Sequence, residues 1–121
     1  MSLDVSLKSV GETGSCSACA GTGKATEIVF ESSITHNLAP MADAAGIYYK
    51  LWRPETLNVT RASQLIEPLA AGLARLRERP EHFRQYNPSN GWGRCEDLIR
   101  FVEQYLEACR EHPDAIVSTD R

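Results

Sequence analysis

Two cysteines near the start of the chain have the spacing of a metal-binding knuckle. Cys16 and Cys19 are separated by two residues within the run CSACAGTG at residues 16–23. Two thiolates at this spacing on a glycine-rich turn can share one tetrahedral zinc ion, which needs two further nitrogen or sulfur ligands. We therefore expect zinc as the candidate cofactor, with a histidine, Cys95 or a second protomer completing the site. The alternative is a thiol-bearing leader that binds no metal.

The other two cysteines, Cys95 and Cys109, belong to the C-terminal part of the chain. The apolar pattern there predicts one helix that carries both, and their separation corresponds to about 21 Å at about 1.5 Å per residue. Two thiols so far apart cannot share a metal ion or form a disulfide, so at most one can join Cys16 and Cys19. We expect both to be buried in the core, where a thiol behaves as a small hydrophobe.

A second group of candidate residues combines aromatic rings with polar and cationic side chains at predicted element ends and loops. Loops on a rigid scaffold are where binding groups concentrate, and a tryptophan can stack on a flat ring while an arginine pairs with an anion. The predicted ligand-binding residues are His36, Asn37, Trp52, Arg53, Asn90 and Trp92. The alternative is structural: His36 and Asn37 cap a helix, Trp52 fills the core, and Trp92 covers the last helix.

Catalysis is a second hypothesis for the same region. His36 could act as a general base with Glu31 as the residue that orients it, across a strand-to-helix turn. The chain contains no G-x-S-x-G, H-E-x-x-H or Walker motif, so no motif supports a nucleophile, a zinc protease or a nucleotide site. A hydrolytic or transfer enzyme is therefore the alternative to a non-catalytic binding module.

Nucleic-acid binding is a third hypothesis. Four arginines, Arg75, Arg77, Arg79 and Arg84, form a local basic cluster, but glutamates interleave with them and the formal net charge is −3. Alternating charge is typical of a solvated helix face, and a negative chain has no global attraction for nucleic acid or anionic membrane. A zinc-knuckle RNA-binding module is accordingly the second alternative.

Five short motifs carry a resemblance to a known family. They are ITHNL at residues 34–38, AGIY at 45–48, LWRPE at 51–55, NGWG at 90–93 and PDA at 113–115. With them, the region from Val29 to the end of the chain resembles a family of small, uncharacterised bacterial and phage-borne proteins. The resemblance implies a self-contained domain that follows the knuckle. Separately, the eight residues of the CxxCxGxG run resemble one repeat of the zinc-binding domain of J-domain co-chaperones, in which such repeats occur in pairs.

The elements that must position these residues follow from the apolar pattern. Alternation and β-branched residues predict a strand at 26–33 and a closing strand at 115–119. Apolar residues at helical spacing predict helices at 38–45, 61–79, 80–86 and 95–111, the second interrupted or kinked by Pro68. The aromatic-rich segment 47–54 predicts a short helix or turn that ends at Pro54. We expect the two strands to pair side by side.

These elements predict a mainly helical α+β domain with a two- or three-stranded antiparallel sheet formed by N- and C-terminal strands. We expect residues 1–25 to be a flexible leader and residues 26–121 to be the compact domain. The chain has 121 residues, of which 42% are hydrophobic, and contains no apolar run long enough to cross a membrane. We therefore expect a cytoplasmic protein. Its expected function is to bind a small molecule or a partner protein, and the sequence does not determine whether it forms an oligomer.

Overall fold

A computed structural model describes residues 2–9, 27–87 and 93–120 of the chain. In sequence order these residues form β1 (Ser2–Ser9), β2 (Glu27–Thr35), α1 (Ala39–Ala44), α2 (Tyr48–Trp52), α3 (Ser63–Glu78), α4 (Pro80–Arg84), α5 (Cys95–Glu111) and β3 (Ile116–Asp120). Short 3-10 helices precede α1 at His36–Leu38 and follow α2 at Pro54–Leu57. The predicted strands and helices after residue 26 are confirmed, with small shifts of their ends.

The sheet has the strand order β2-β1-β3, and both pairings are antiparallel. β1 is the central strand, and its alternating apolar side chains, Leu3, Val5 and Leu7, are at most 1% exposed. This corrects two expectations. Residues 2–9 belong to the compact domain and not to a flexible leader, because their side chains fill the core. β3 does not pair with β2, because β1 lies between them.

A β-bulge in the β1–β2 pairing decides which side chains of β2 face the core. Leu7 pairs with Phe30, but the next residue, Lys8, pairs with Ile28, so that Val29 is the additional residue on β2. Paired residues of an antiparallel sheet point to the same face. Phe30 therefore shares the core face with Leu7, whereas Ile28 shares the outer face with Lys8 and is 51% exposed.

The helices cover one face of the sheet and enclose the core. α5 packs against both α3 and β2, and Tyr105 on α5 stacks against Phe30 on β2 with ring centroids 5.8 Å apart. Pro68 lies inside α3, which runs from Ser63 to Glu78 without a break. Of the two outcomes predicted at Pro68, the interruption is therefore wrong, and the kink stays a prediction. The described elements form a small α+β domain, and none of their helices is long and apolar enough to span a membrane.

The connection between α1 and α2 is held by α3, and this contact positions the candidate site. Gly46 has φ +81°, a left-handed conformation that ends α1, as expected from its position after the helix. Arg75 on α3 donates a 2.6 Å hydrogen bond to the carbonyl oxygen of Ala45. At Gly72 a Cβ atom would lie 2.4 Å from Cγ2 of Ile47. The missing side chain of Gly72 thus lets the start of α2 lie directly against α3.

Candidate functional site

The turn that carries His36 begins where β2 ends. Thr35 Oγ1 accepts a 3.2 Å hydrogen bond from the backbone N–H of Asn37, so Thr35 caps the 3-10 helix His36–Leu38. Leu38 is fully buried and anchors the turn in the core, while His36 is half-buried and Asn37 is exposed. The capping side chain is therefore that of Thr35, and not His36 or Asn37 as in the structural alternative. The turn fixes the backbone of His36 at the edge of the core, where the residue is half-buried.

α2 brings Trp52 to the histidine. The indole Nε1–H of Trp52 donates a hydrogen bond to His36 Nδ1 over 2.8 Å, and the two ring centroids lie 6.2 Å apart. The two residues are separated by 16 positions in sequence, so this bond ties the end of β2 to α2. Two of the predicted site residues are therefore in direct contact.

The direction of this hydrogen bond determines what His36 can do. An indole nitrogen is only a donor, so His36 Nδ1 must be the unprotonated, accepting nitrogen. In the neutral ring the proton then lies on Nε2. A general base needs an unprotonated nitrogen directed at its substrate, whereas Nε2 in this tautomer is a hydrogen-bond donor. His36 is therefore arranged to donate a hydrogen bond.

Tyr48 and Arg53 extend this arrangement along α2. Tyr48 stacks on Trp52 with centroids 5.6 Å apart and an interplanar angle of 13°. Arg53 Nε–H donates a 3.3 Å hydrogen bond to the hydroxyl of Tyr48, and this bond is the main reason why the pKa of the exposed guanidinium is raised. Arg53 therefore remains cationic and is oriented by Tyr48.

Burial changes the expected role of Trp52. The indole is 2% exposed and belongs to the hydrophobic core, and Tyr48 stacks on its ring. It therefore cannot serve as a stacking surface for a ligand. Its burial fits the alternative in which Trp52 fills the core. The accessible aromatic ring is that of Tyr49, which is 51% exposed and meets Tyr48 edge to face at 5.1 Å.

Glu31 does not lie next to His36. It pairs with Ser6 in the middle of β2, and its side chain is exposed on the outer face of the sheet, opposite the helices. The four residue steps from Glu31 to Thr35, at the end of β2, span about 13 Å at about 3.3 Å per residue. The nitrogen that an orienting carboxylate would contact, Nδ1, is already bonded to Trp52. The described geometry does not assemble the predicted acid–base pair.

Four of the predicted site residues lie outside the described ranges. They are the zinc ligands Cys16 and Cys19 and the loop residues Asn90 and Trp92. Within residues 2–9, 27–87 and 93–120, no three His, Cys, Asp or Glu side chains are grouped as a metal site would require. The zinc site stays a prediction, which zinc analysis of the wild-type protein and of Cys16→Ser would test.

The two cysteines of α5 are core residues, as expected. Cys95 and Cys109 are free thiols with no exposed surface. Burial raises the pKa of the Cys95 thiol and raises that of Cys109 from 9.0 to about 12. Reactive cysteines are thiolates in electropositive surroundings. Neither thiol of α5 therefore has the properties of a nucleophile.

The arginine cluster is largely occupied by contacts within the domain. Arg75 binds the Ala45 carbonyl, Arg77 forms an ion pair with Glu103, and Arg84 contacts Glu96 Oε2 through Nε at 3.0 Å and Nη2 at 2.8 Å. A phosphate would have to compete with these partners. Arginines that are paired in this way are typical of a solvent-exposed helix surface. They do not support a nucleic-acid-binding surface.

No protein-family model, curated protein or solved structure matches the chain. The site is therefore defined by its own geometry. The aromatic-rich segment 47–54 is visible in the sequence, but Tyr48 and Tyr49 are not among the predicted site residues. The available signal was the spacing of Tyr48 and Trp52 at i and i+4, which places both rings on one side of a helix.

Proposed function

We propose that the protein is a non-catalytic interaction module that recognises a partner protein through the surface formed by His36, Tyr48, Tyr49 and Arg53, here called the His36 face. The observation that carries this proposal is the Trp52–His36 hydrogen bond. This bond leaves Nε2–H of the imidazole as a donor. It also occupies Nδ1, the unprotonated nitrogen that base catalysis would need. The proposal thereby favours binding over the hydrolytic alternative with Glu31.

The composition of the His36 face supports a protein partner. Tyrosine and arginine are enriched at protein interfaces, where they provide large contact areas and several hydrogen bonds. Tyr49 is 51% exposed, and Leu57 in the adjoining 3-10 helix is 44% exposed. These two are among the few large apolar side chains of the described residues with such exposure, and Tyr49 lies close enough to the Arg53 guanidinium to contribute to its raised pKa.

The electrostatics indicate the chemistry of the partner. A guanidinium has five N–H groups, and in Arg53 the one on Nε donates its hydrogen bond to the Tyr48 hydroxyl. Arg53 therefore retains donors with the geometry that matches a carboxylate. Together with the His36 donor and the exposed Tyr49 ring, it suits an Asp or Glu side chain that is followed or preceded by an apolar residue.

Site-directed crosslinking tests this function. A benzophenone amino acid at position 49 would probe the His36 face, and the same amino acid at the exposed position 74 on α3 would serve as the control. We expect a partner that crosslinks only from position 49 and whose capture is lost with Arg53→Glu but kept with Arg110→Glu. Identical crosslinks from both positions, or capture that is insensitive to Arg53→Glu, would contradict the proposal.

A further inference from the structure

We infer that the cleft between the C-terminal half of β2 and the N-terminal half of α5 binds a small organic anion. The cleft has a volume of about 340 Å³ and is open to solvent. Ligand sites of proteins begin at about 300 Å³ and combine an apolar lining with a few polar groups. The β2–α5 cleft has this size, but its accessible lining is more polar than apolar, with the apolar side chains lying at its base. It contains none of the residues that define the His36 face.

The floor of the cleft is apolar and the rim is polar. Ile34, Leu38 and Phe101 line it and are at most 7% exposed. The rim includes Arg100 and Gln104, which lie on the exposed side of α5, and the hydroxyl-bearing residue Thr35 on β2. An apolar body seated on this floor would place its head group between cationic, amide and hydroxyl donors.

Arg100 determines the charge of the ligand. Within the described residues it makes no ion pair or side-chain hydrogen bond, in contrast to Arg77 and Arg84, which are paired with glutamates. The carboxylate that shares the cleft, Asp97, already accepts a 3.0 Å hydrogen bond from the backbone N–H of Arg94 at the start of α5. Among the described residues no partner occupies the donors of Arg100, so they can bind a carboxylate or a phosphate.

The wall of the cleft is closely packed. Gly93 has φ +107°, and a Cβ atom there would lie 2.8 Å from Cγ2 of Thr35 and 3.0 Å from Cγ of Leu38. The chain leading into α5 thus lies directly against the end of β2. A site whose walls are fixed in this way requires little ordering when a ligand binds.

NMR titration of the ¹⁵N-labelled full chain tests the site with four probes. Benzoate and phenyl phosphate carry an anionic head on the same apolar ring, benzamide is the neutral analogue, and inorganic phosphate lacks the ring. We expect one of the two aromatic anions to shift the amide signals of Thr35, Phe101 and Gln104, and the one that binds identifies the head group. Benzamide, which lacks the charge, and inorganic phosphate, which lacks the apolar ring, should each bind about tenfold more weakly or not at all.

Matched variants connect binding to the cleft. Arg100→Gln and Gln104→Glu change exposed side chains and are expected to preserve the fold, while each weakens binding at least about tenfold. Arg110→Gln removes the same charge from the other end of α5 and should bind as the wild type does. The inference is overturned if neither aromatic anion shifts these signals, if benzamide or inorganic phosphate binds equally well, or if Arg100→Gln and Arg110→Gln behave alike.

Discussion

Trp52 donates its indole hydrogen to Nδ1 of His36 over a distance of 2.8 Å. Trp52 is 2% exposed, and His36 is half-buried at the end of β2. A buried side chain therefore fixes the tautomer of a histidine at the edge of the core. A buried aromatic residue and an accessible polar one therefore act as a unit. Under the proposed function, Trp52 would act on partner binding only through the His36 ring that it orients.

The position of β1 in the sheet can be tested with two neighbouring lysine substitutions. Val5 faces the core and is 1% exposed, whereas Ser6 faces outward and pairs with Glu31. Val5→Lys should lower the free energy of unfolding by at least about 3 kcal/mol, because it buries an unpaired charge, and Ser6→Lys should change it by less than about 0.5 kcal/mol. Urea unfolding measures both. Equal and small effects would mean that this segment is a leader and not a strand of the sheet.

Gly72→Ala tests the contact between α3 and the start of α2. Alanine in a helix gains about 1 kcal/mol over glycine, but overpacking of a core costs about 1–3 kcal/mol. The new Cβ would meet the β-branched side chain of buried Ile47 at 2.4 Å, so we expect the packing cost to exceed the gain and the variant to be less stable. Ala74→Gly on the exposed face of α3 measures the helix-propensity effect alone. A stabilised Gly72→Ala protein would show that α2 does not lie against α3.

Tyr105→Phe tests a buried hydroxyl. Tyr105 has no exposed surface, and its hydroxyl has no hydrogen-bond partner among the described residues; burial raises its pKa. Because an unpaired buried hydroxyl loses its bonds to water without replacement, we expect Tyr105→Phe to be neutral or more stable by up to about 1 kcal/mol. Thermal unfolding measures the difference. A loss of more than about 1 kcal/mol would reveal a partner for this hydroxyl.

The buried thiol of Cys109 predicts a loss of stability at alkaline pH. Its pKa is raised from 9.0 to about 12 in the folded protein, so between these values the folded state keeps a proton that the unfolded state releases. The free energy of unfolding should therefore be unaffected below about pH 9 and fall as the pH rises above it, by at most about 1.4 kcal/mol per pH unit for this group. In Cys109→Ala this slope should be smaller. An unchanged slope would assign the alkaline effect to other groups.

The elements that the sequence predicts best are those with long periodic patterns. The stripe that includes Leu98, Val102 and Tyr105 predicts the helix at 95–111, and α5 has these limits. β1 is different: its alternation at Leu3, Val5 and Leu7 is visible in the sequence, but the composition of the segment that follows favours a leader. Strand order depends on pairing between distant segments, which local periodicity does not encode.

The candidate site is only partly accessible to sequence reasoning for a related reason. Residue type alone predicts His36, Trp52 and Arg53 as site residues. The structure brings them together through Tyr48 and the Trp52–His36 bond. α2 has five residues, too few for periodicity to say which aromatic ring is buried. Packing against the core decides that Trp52 is inside and Tyr49 outside, and the sequence pattern carries no information on that choice.

The tautomer of His36 is the most direct test of the account. A long-range ¹H–¹⁵N NMR spectrum of the imidazole, recorded at neutral to mildly alkaline pH, distinguishes a proton on Nε2 from one on Nδ1. We expect the Nε2–H tautomer in the wild type and a mixture of tautomers in Trp52→Phe, in which the donor is missing. A proton on Nδ1 in the wild-type protein would contradict it, since His36 would then present an unprotonated Nε2, as a general base does.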